Sequence, residues 1–137
     1  MRVIDASVVI KLLKSTEDDA DKAKMLLHDH LAKVSRITVP SLLYIDVANA
    51  LVTKSIYTQE DIEELLDLLN SFDFVIHSFT KKNLVDAARL AKQYKTSVYD
   101  MLYAVIAKEH GCSLITSDEK FFKKTKFSFV QLLDTRV

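Results

Sequence analysis

The sequence predicts an α/β fold, with a parallel sheet covered by helices on both faces. Three observations carry this. Short β-rich runs alternate with longer amphipathic ones, the rhythm of strand–helix–strand crossovers. The chain has 137 residues, enough for a single domain over 1–137 that buries roughly two-thirds of its unfolded surface without disulfides. Apolar residues make up 49% and charged residues 28%, a globular composition with no repeat, low-complexity tract or Gly/Ser linker to divide it.

The elements follow in order. Val3-Ile4 is the first strand, and a helix runs from about Ser7 to Leu13. Asp18 to Lys33 has helical spacing, with Ala23, Leu26, Leu27 and Leu31 on one face. Ile37 to Val39 is β-rich and stops at Pro40, after which Ser41 caps a helix reaching about Lys54. Thr58 opens the next helix, with Glu60 and Asp61 in its first turn and Ile62, Leu65, Leu66 and Leu69 as its apolar face. Phe74 to Phe79 is a strand. Thr80 to about Lys95 and Ser97 to about His110 are helices, the second ended by Gly111. Ser113 to Thr116 is a strand, Asp118 to Lys124 a short helix, and Phe127 to Val130 the last strand.

Composition narrows the chemistry. One Gly in the whole chain rules out a phosphate-binding P-loop and a GxGxxG dinucleotide loop, which each need several. Nineteen basic and nineteen acidic residues cancel to a net charge of zero, so any nucleic-acid contact must be local. The single Cys112 forms neither an internal disulfide nor a cysteine-based zinc site. His28, His30, His77 and His110 include no i, i+4 pair, so an HExxH zinc helix is absent. The opening MRVIDASVVIKLLK has short apolar runs broken by Asp5 and Lys11. It reads as neither signal peptide nor membrane span, and the expected location is the cytoplasm.

In a sheet of this kind, ligands bind beyond the carboxyl ends of the strands, where strand order reverses. Asp5 follows the first strand, and Asp118 lies two residues after the strand ending at Thr116. If these strands are neighbours, the two carboxylates converge. Each also suits the start of a helix, where the dipole favours acids. Asp46 interrupts SLLYIDVANAL, an otherwise apolar helix that looks buried, where a carboxylate is expensive unless paired or metal-bound. Asn49 shares its face, and Thr53 lies one turn further on. Asp100 sits three residues after Ser97, which fits a capping box and equally presents a carboxylate at a helix start. Tyr99 and Tyr103, at i, i+4, read as packing. Four carboxylates near one cleft repel one another unless a cation is present. All-oxygen donors select Mg²⁺ or Mn²⁺, and such an ion activates water and stabilises charge on a phosphodiester.

At this point the motifs resemble a known family. VIDASVVIKLL with Asp5 and Ser7, PSLLYIDVANAL with Asp46 and Asn49, YDMLYAVIAKEHG with Asp100, and LITSDEKFF with Thr116 and Asp118 are together similar to PIN-domain ribonucleases. The nearest group is the VapC-type toxins of prokaryotic toxin–antitoxin pairs. The resemblance implies a three-layer α/β/α sandwich and endonucleolytic RNA cleavage with one or two Mg²⁺ or Mn²⁺ ions. It makes Asp5, Asp46, Asp100 and Asp118 the catalytic, metal-binding acids. Ser7 and Thr116 become groups that orient a carboxylate or a metal-bound water, with Asn49 beside Asp46. Lys11 resembles a basic residue often found after the first motif in these toxins, which would make it a substrate contact; the alternative is an ordinary solvated lysine. Asp46 departs from the pattern, which usually has Glu there. The shorter side chain brings contact through water into play. Implied partners are RNA, an antitoxin protein and a second copy of the chain in a homodimer. A housekeeping RNA-processing nuclease shares every motif. A phospho-acceptor signalling domain needs an acidic pair after the first strand, and Asp5 stands alone. A non-catalytic binding module would have no need of four acids at these places.

Overall fold

The computed structural model describes residues 1–14, 20–54 and 56–135. In chain order the elements are β1 (Arg2–Ile4), α1 (Ala6–Leu13), α2 (Ala20–Leu31), β2 (Ile37–Pro40), α3 (Leu42–Thr53), α4 (Gln59–Ser71), β3 (Val75–His77), α5 (Lys81–Tyr94), α6 (Val98–Glu109), β4 (Ser113–Thr116), α7 (Glu119–Thr125) and β5 (Val130–Leu132). A single 3₁₀ turn, Leu133–Thr135, follows β5.

The strands form one sheet in the order β3-β2-β1-β4-β5, and every pairing is parallel. The chain therefore builds outward from β1 to β3, then returns to the other side of β1 for β4 and β5. The reversal falls between β1 and β4, where Ile4 is the register partner of Ile115. Right-handed crossovers on a sheet that reverses direction place helices on both faces, which makes this a three-layer α/β/α sandwich. Helices α1 to α4 pack among themselves, and α5 packs against α6.

Helix α6 is the centre of the core. Its residues from Met101 to Ala107 are all buried, and it lies across β1, β2 and β4. The strand residues beneath, among them Val3, Ile4, Ile37, Val39, Leu114 and Ile115, are buried too. Each such side chain is worth roughly 1.5–3 kcal/mol of transfer free energy. The helix ends in a Schellman motif: Gly111 has φ +63°, its N–H bonds the Lys108 carbonyl, and the Cys112 N–H bonds the Ala107 carbonyl. Capping boxes at Thr58/Asp61 and Thr80/Asn83 start α4 and α5.

Several expectations shift. Ser41 precedes α3 but does not cap it with its hydroxyl. It already has helical dihedrals (φ −57°, ψ −24°), whereas a capping side chain needs an extended residue. Helix α3 is not buried all round. Leu43, Val47 and Leu51 face the core, while Ile45 and Val52 lie exposed. On α2, Leu31 is exposed and His30 takes the buried place instead. The His30 ring binds three backbone groups: the Ile37 N–H at 2.8 Å and the Phe72 and Asp73 carbonyls at 3.0 Å each. The helix start expected at Asp18 lies outside the described residues; the described helix begins at Ala20. The third strand is only Val75–His77. The last is Val130–Leu132 rather than Phe127–Val130. Phe127 instead stacks on Phe129 and meets Tyr94 edge-on, and the chain turns through a Phe127 carbonyl to Val130 N–H bond before pairing with β4.

Candidate active site

Asp5 occupies the reversal point. It caps α1 through the Val8 N–H at 3.3 Å, so its helix-start reading holds. Two hydroxyls also converge on it. Ser7 Oγ donates to Oδ1 at 2.5 Å, and Thr116 Oγ1 donates to Oδ2 in a short bond. The chain leaving β4 locks both hydroxyls in this role. Ser7 Oγ accepts from the Ser117 N–H at 2.9 Å, and Thr116 Oγ1 accepts from the Asp118 N–H at 3.0 Å. Each hydroxyl has one proton, and its shortest contact is to a carboxylate oxygen, so both point their hydrogens at Asp5. β1, α1 and the β4–α7 connection are thus tied at one carboxylate. Burial raises Asp5 to about pKa 6 and the charge of Asp100 adds to this, while Ser7, Thr116 and the Val8 N–H pull it down.

Asp118 caps α7 through the Phe121 N–H at 3.0 Å. Asp100 stands in the first turn of α6. The Ser97 hydroxyl accepts its N–H at 3.0 Å, but the return arm of a capping box is missing, unlike in α4 and α5. Burial raises the Asp100 carboxyl above the usual range; Ser97 lowers it, and the negative charges of Asp118 and Asp46 raise it further. Asp100, Asp118 and Ser97 line one cavity of about 200 Å³, rimmed by Lys95, Lys120 and Lys124.

Asp46 faces this group from α3. Its Oδ2 accepts a hydrogen bond from Tyr103 Oη at 2.7 Å. Burial raises the Asp46 carboxyl and this bond lowers it. Burial likewise pushes the Tyr103 phenol well above its ordinary range, followed by the charge of Asp46 and then those of Asp5 and Asp100. Tyr103 was legible only as packing. Its hydroxyl sits amid three of the acids, and no feature of YDMLYAV signals a polar partner 57 positions away. Asn49 is exposed and makes no hydrogen bond to Asp46, and the exposed Thr53 bonds the Ala50 carbonyl of its own helix. Lys11 lies half-buried in the last turn of α1, one turn beyond Ser7 on the same face.

The donor chemistry fits a hard divalent cation. The four acids supply only oxygen donors. Among the described residues none of them is ion-paired, and their charges act on one another. Among the described residues no three acids, histidines or cysteines close into a cage as they stand. A hard ion such as Mg²⁺ keeps several waters and takes one or two carboxylates directly.

A parallel sheet whose order reverses at an acid-lined crevice defines an α/β domain built to bind at that crevice. The chain belongs to the PIN domain family, whose profile matches residues 2–127. No curated protein sequence matches it. Among solved structures, a protein of Pyrobaculum aerophilum is similar at TM-score 0.72 and 20% identity, with 98% of this chain and 91% of that one aligned. A toxin–antitoxin complex from Klebsiella pneumoniae has a chain similar at TM-score 0.69 and 18% identity, covering 97% and 98%. A sarcin–ricin loop cleaving VapC toxin of Mycobacterium tuberculosis is similar at TM-score 0.70 and 11% identity, covering 95% and 97%.

Proposed function

We propose that this chain is a metal-dependent endoribonuclease and the toxin of a toxin–antitoxin pair. One observation carries the reading. A half-buried, hydroxyl-bound carboxylate, Asp5, stands at the β1/β4 reversal and feels the charge of Asp100, which in turn feels those of Asp118 and Asp46. Asp5, Asp100 and Asp118 would hold Mg²⁺ or Mn²⁺, with Asp46 reaching it directly or through water. When bound, the ion lowers the pKa of water and neutralises charge on the scissile phosphate. The chain's own residues do the rest. Ser7 and Thr116 hold Asp5 in one orientation, and Tyr103 holds Asp46. Lys95, Lys120 and Lys124 offer positive charge to flanking phosphates on the cavity rim. The family membership, and the likeness to toxins and toxin–antitoxin complexes along nearly the whole chain, support this assignment, a single domain over 1–137 and an antitoxin partner. Exposed apolar residues on α2 and α3, namely Met25, Leu31, Ile45 and Val52, supply surface for that partner or for a homodimer. Among the described residues no helix is long and apolar enough to cross a membrane.

The test is cleavage of labelled RNA by purified protein with Mn²⁺, with Mg²⁺ and with EDTA. Cleavage that stops on chelation and returns with metal supports the proposal. Undiminished cleavage after confirmed metal removal overturns the metal mechanism. Light scattering at tens of micromolar that shows only monomer overturns the homodimer.

A further inference from the structure

A second constellation lies apart from the four acids, where the end of β3 meets the last turn of α6. We propose that His77 and His110 form a two-imidazole site for a transition metal ion of the zinc class, oriented by Glu109 and Asn83. His110 Nε2 lies 3.1 Å from His77 Nδ1, with the rings edge-to-face at a centroid distance of 4.6 Å. Two nitrogens bound tetrahedrally at about 2.0–2.1 Å stand roughly 3.3–3.4 Å apart. The pair is thus within a few tenths of an ångström of the spacing that a shared ion requires.

The surroundings select the tautomer that binding needs. His77 Nε2 is buried and has no hydrogen-bond partner, and the nearest acidic oxygen, Glu109 Oε2, is 3.7 Å away. A bare lone pair on Nε2 would face a carboxylate and be repelled. The proton therefore sits on Nε2, which leaves the Nδ1 lone pair aimed at His110. Glu109 is itself placed. Its Oε2 accepts from Asn83 Nδ2 at 3.1 Å. The amide of Asn83 is oriented in turn, because its Oδ1 takes the Thr80 N–H at 2.9 Å in the capping box of α5. Asn83 is buried, while Glu109 is about half exposed. Glu109 stands within ion-pair reach of His77 without a hydrogen bond to it, and closing that 3.7 Å gap would complete the carboxylate–histidine support that metal-binding imidazoles use. On binding, the exposed His110 moves its proton to Nδ1, and the ion replaces the contact between the rings.

Two imidazoles select a borderline ion such as Zn²⁺, Ni²⁺ or Cu²⁺ over the hard ions suited to the acidic cleft. Two protein ligands leave the remaining positions to water, so the site exchanges its ion. A bound ion clamps the end of β3 to the last turn of α6, whose first turn carries Asp100.

The test is calorimetric titration of the untagged full chain with zinc chloride, in excess magnesium chloride to occupy the carboxylates. The expected result is one zinc per chain, with a rise in Tm. His110→Gln changes an exposed side chain and should abolish both. Glu109→Gln should weaken binding about 10- to 100-fold. Asp100→Asn should leave zinc binding unchanged, which separates this site from the proposed nuclease centre. The proposal is overturned if the wild-type chain binds no zinc under these conditions, or if His110→Gln binds it as tightly as wild type. Loss of zinc binding in Asp100→Asn alone would also overturn it, by placing the ion in the cleft.

Discussion

Tyr103 Oη donates to Asp46 Oδ2 at 2.7 Å, joining the most buried helix of the fold to the one acid that departs from the family's usual residue. The carboxylate that looked costly on α3 thus has a partner, and that partner comes from the opposite helical layer.

Tyr103→Phe removes this donor and little else. The bond lowers the Asp46 pKa, so its loss raises it. The acid limb of the cleavage pH profile should therefore move to higher pH. Cleavage should fall about 10- to 100-fold, the range for a group that supports a metal ligand, and stability by about 1–3 kcal/mol. A pH profile at saturating Mn²⁺ checks the first point and urea unfolding the last. An unchanged profile would detach Tyr103 from the site.

Asp46→Glu and Asp46→Ala probe the same acid from the other side. An added methylene brings the carboxylate closer to an ion, so Asp46→Glu should keep or raise activity and tighten metal affinity. Asp46→Ala should lose most activity. Overpacking costs about 1–3 kcal/mol, so stability is measured alongside. If Asp46→Ala retains wild-type metal affinity and cleavage, the quartet is a triad.

The metal-free protein should lose stability as pH rises from about 4 to about 6. The folded pKa of Asp5, about 6, lies above the ordinary aspartate value of 3.8. The native state therefore holds this proton more tightly, and the corresponding stability is present below pH 4 and gone above pH 6. A shift of this size corresponds to at most about 3 kcal/mol, less what solvent screening removes at a half-buried group. Asp5→Asn should flatten this dependence, while its amide nitrogen cannot accept from the second hydroxyl and so gives up one of the bonds from Ser7 and Thr116. Its RNA cleavage should drop by about a hundredfold or more if Asp5 holds the ion. Thermal unfolding against pH in EDTA is the measurement. A wild-type curve that is flat between pH 4 and 6 would contradict the burial argument.

His30→Ala should destabilise without touching chemistry. The ring satisfies the Ile37 N–H and the Phe72 carbonyl inside the core and the Asp73 carbonyl at its edge. Each orphaned buried group costs about 1–3 kcal/mol, so with two of them a loss of at least about 2 kcal/mol is expected. Urea midpoints measure it, and cleavage per folded molecule below the midpoint should match wild type.

Local chemistry made the strand and helix alternation legible, along with the Thr58 and Thr80 starts, the Gly111 stop and the acids following β1 and β4. These follow from period, capping and backbone freedom, which act within a few residues. The sequence also showed Asp5 and Asp118 at strand ends, but not that β1 and β4 are neighbours. That neighbourhood depends on the chain returning to the far side of β1, and the long-range packing of α6 across β1, β2 and β4 decides it. Tertiary contacts likewise put Tyr103 on Asp46, aimed Thr116 at Asp5, moved the last strand to Val130–Leu132 and left one side of α3 exposed. The physical reason is common to all of them. Hydrophobicity tells which side chains leave water, but the partner of a buried hydroxyl or carboxylate is whichever polar group the packed layers bring within about 3 Å.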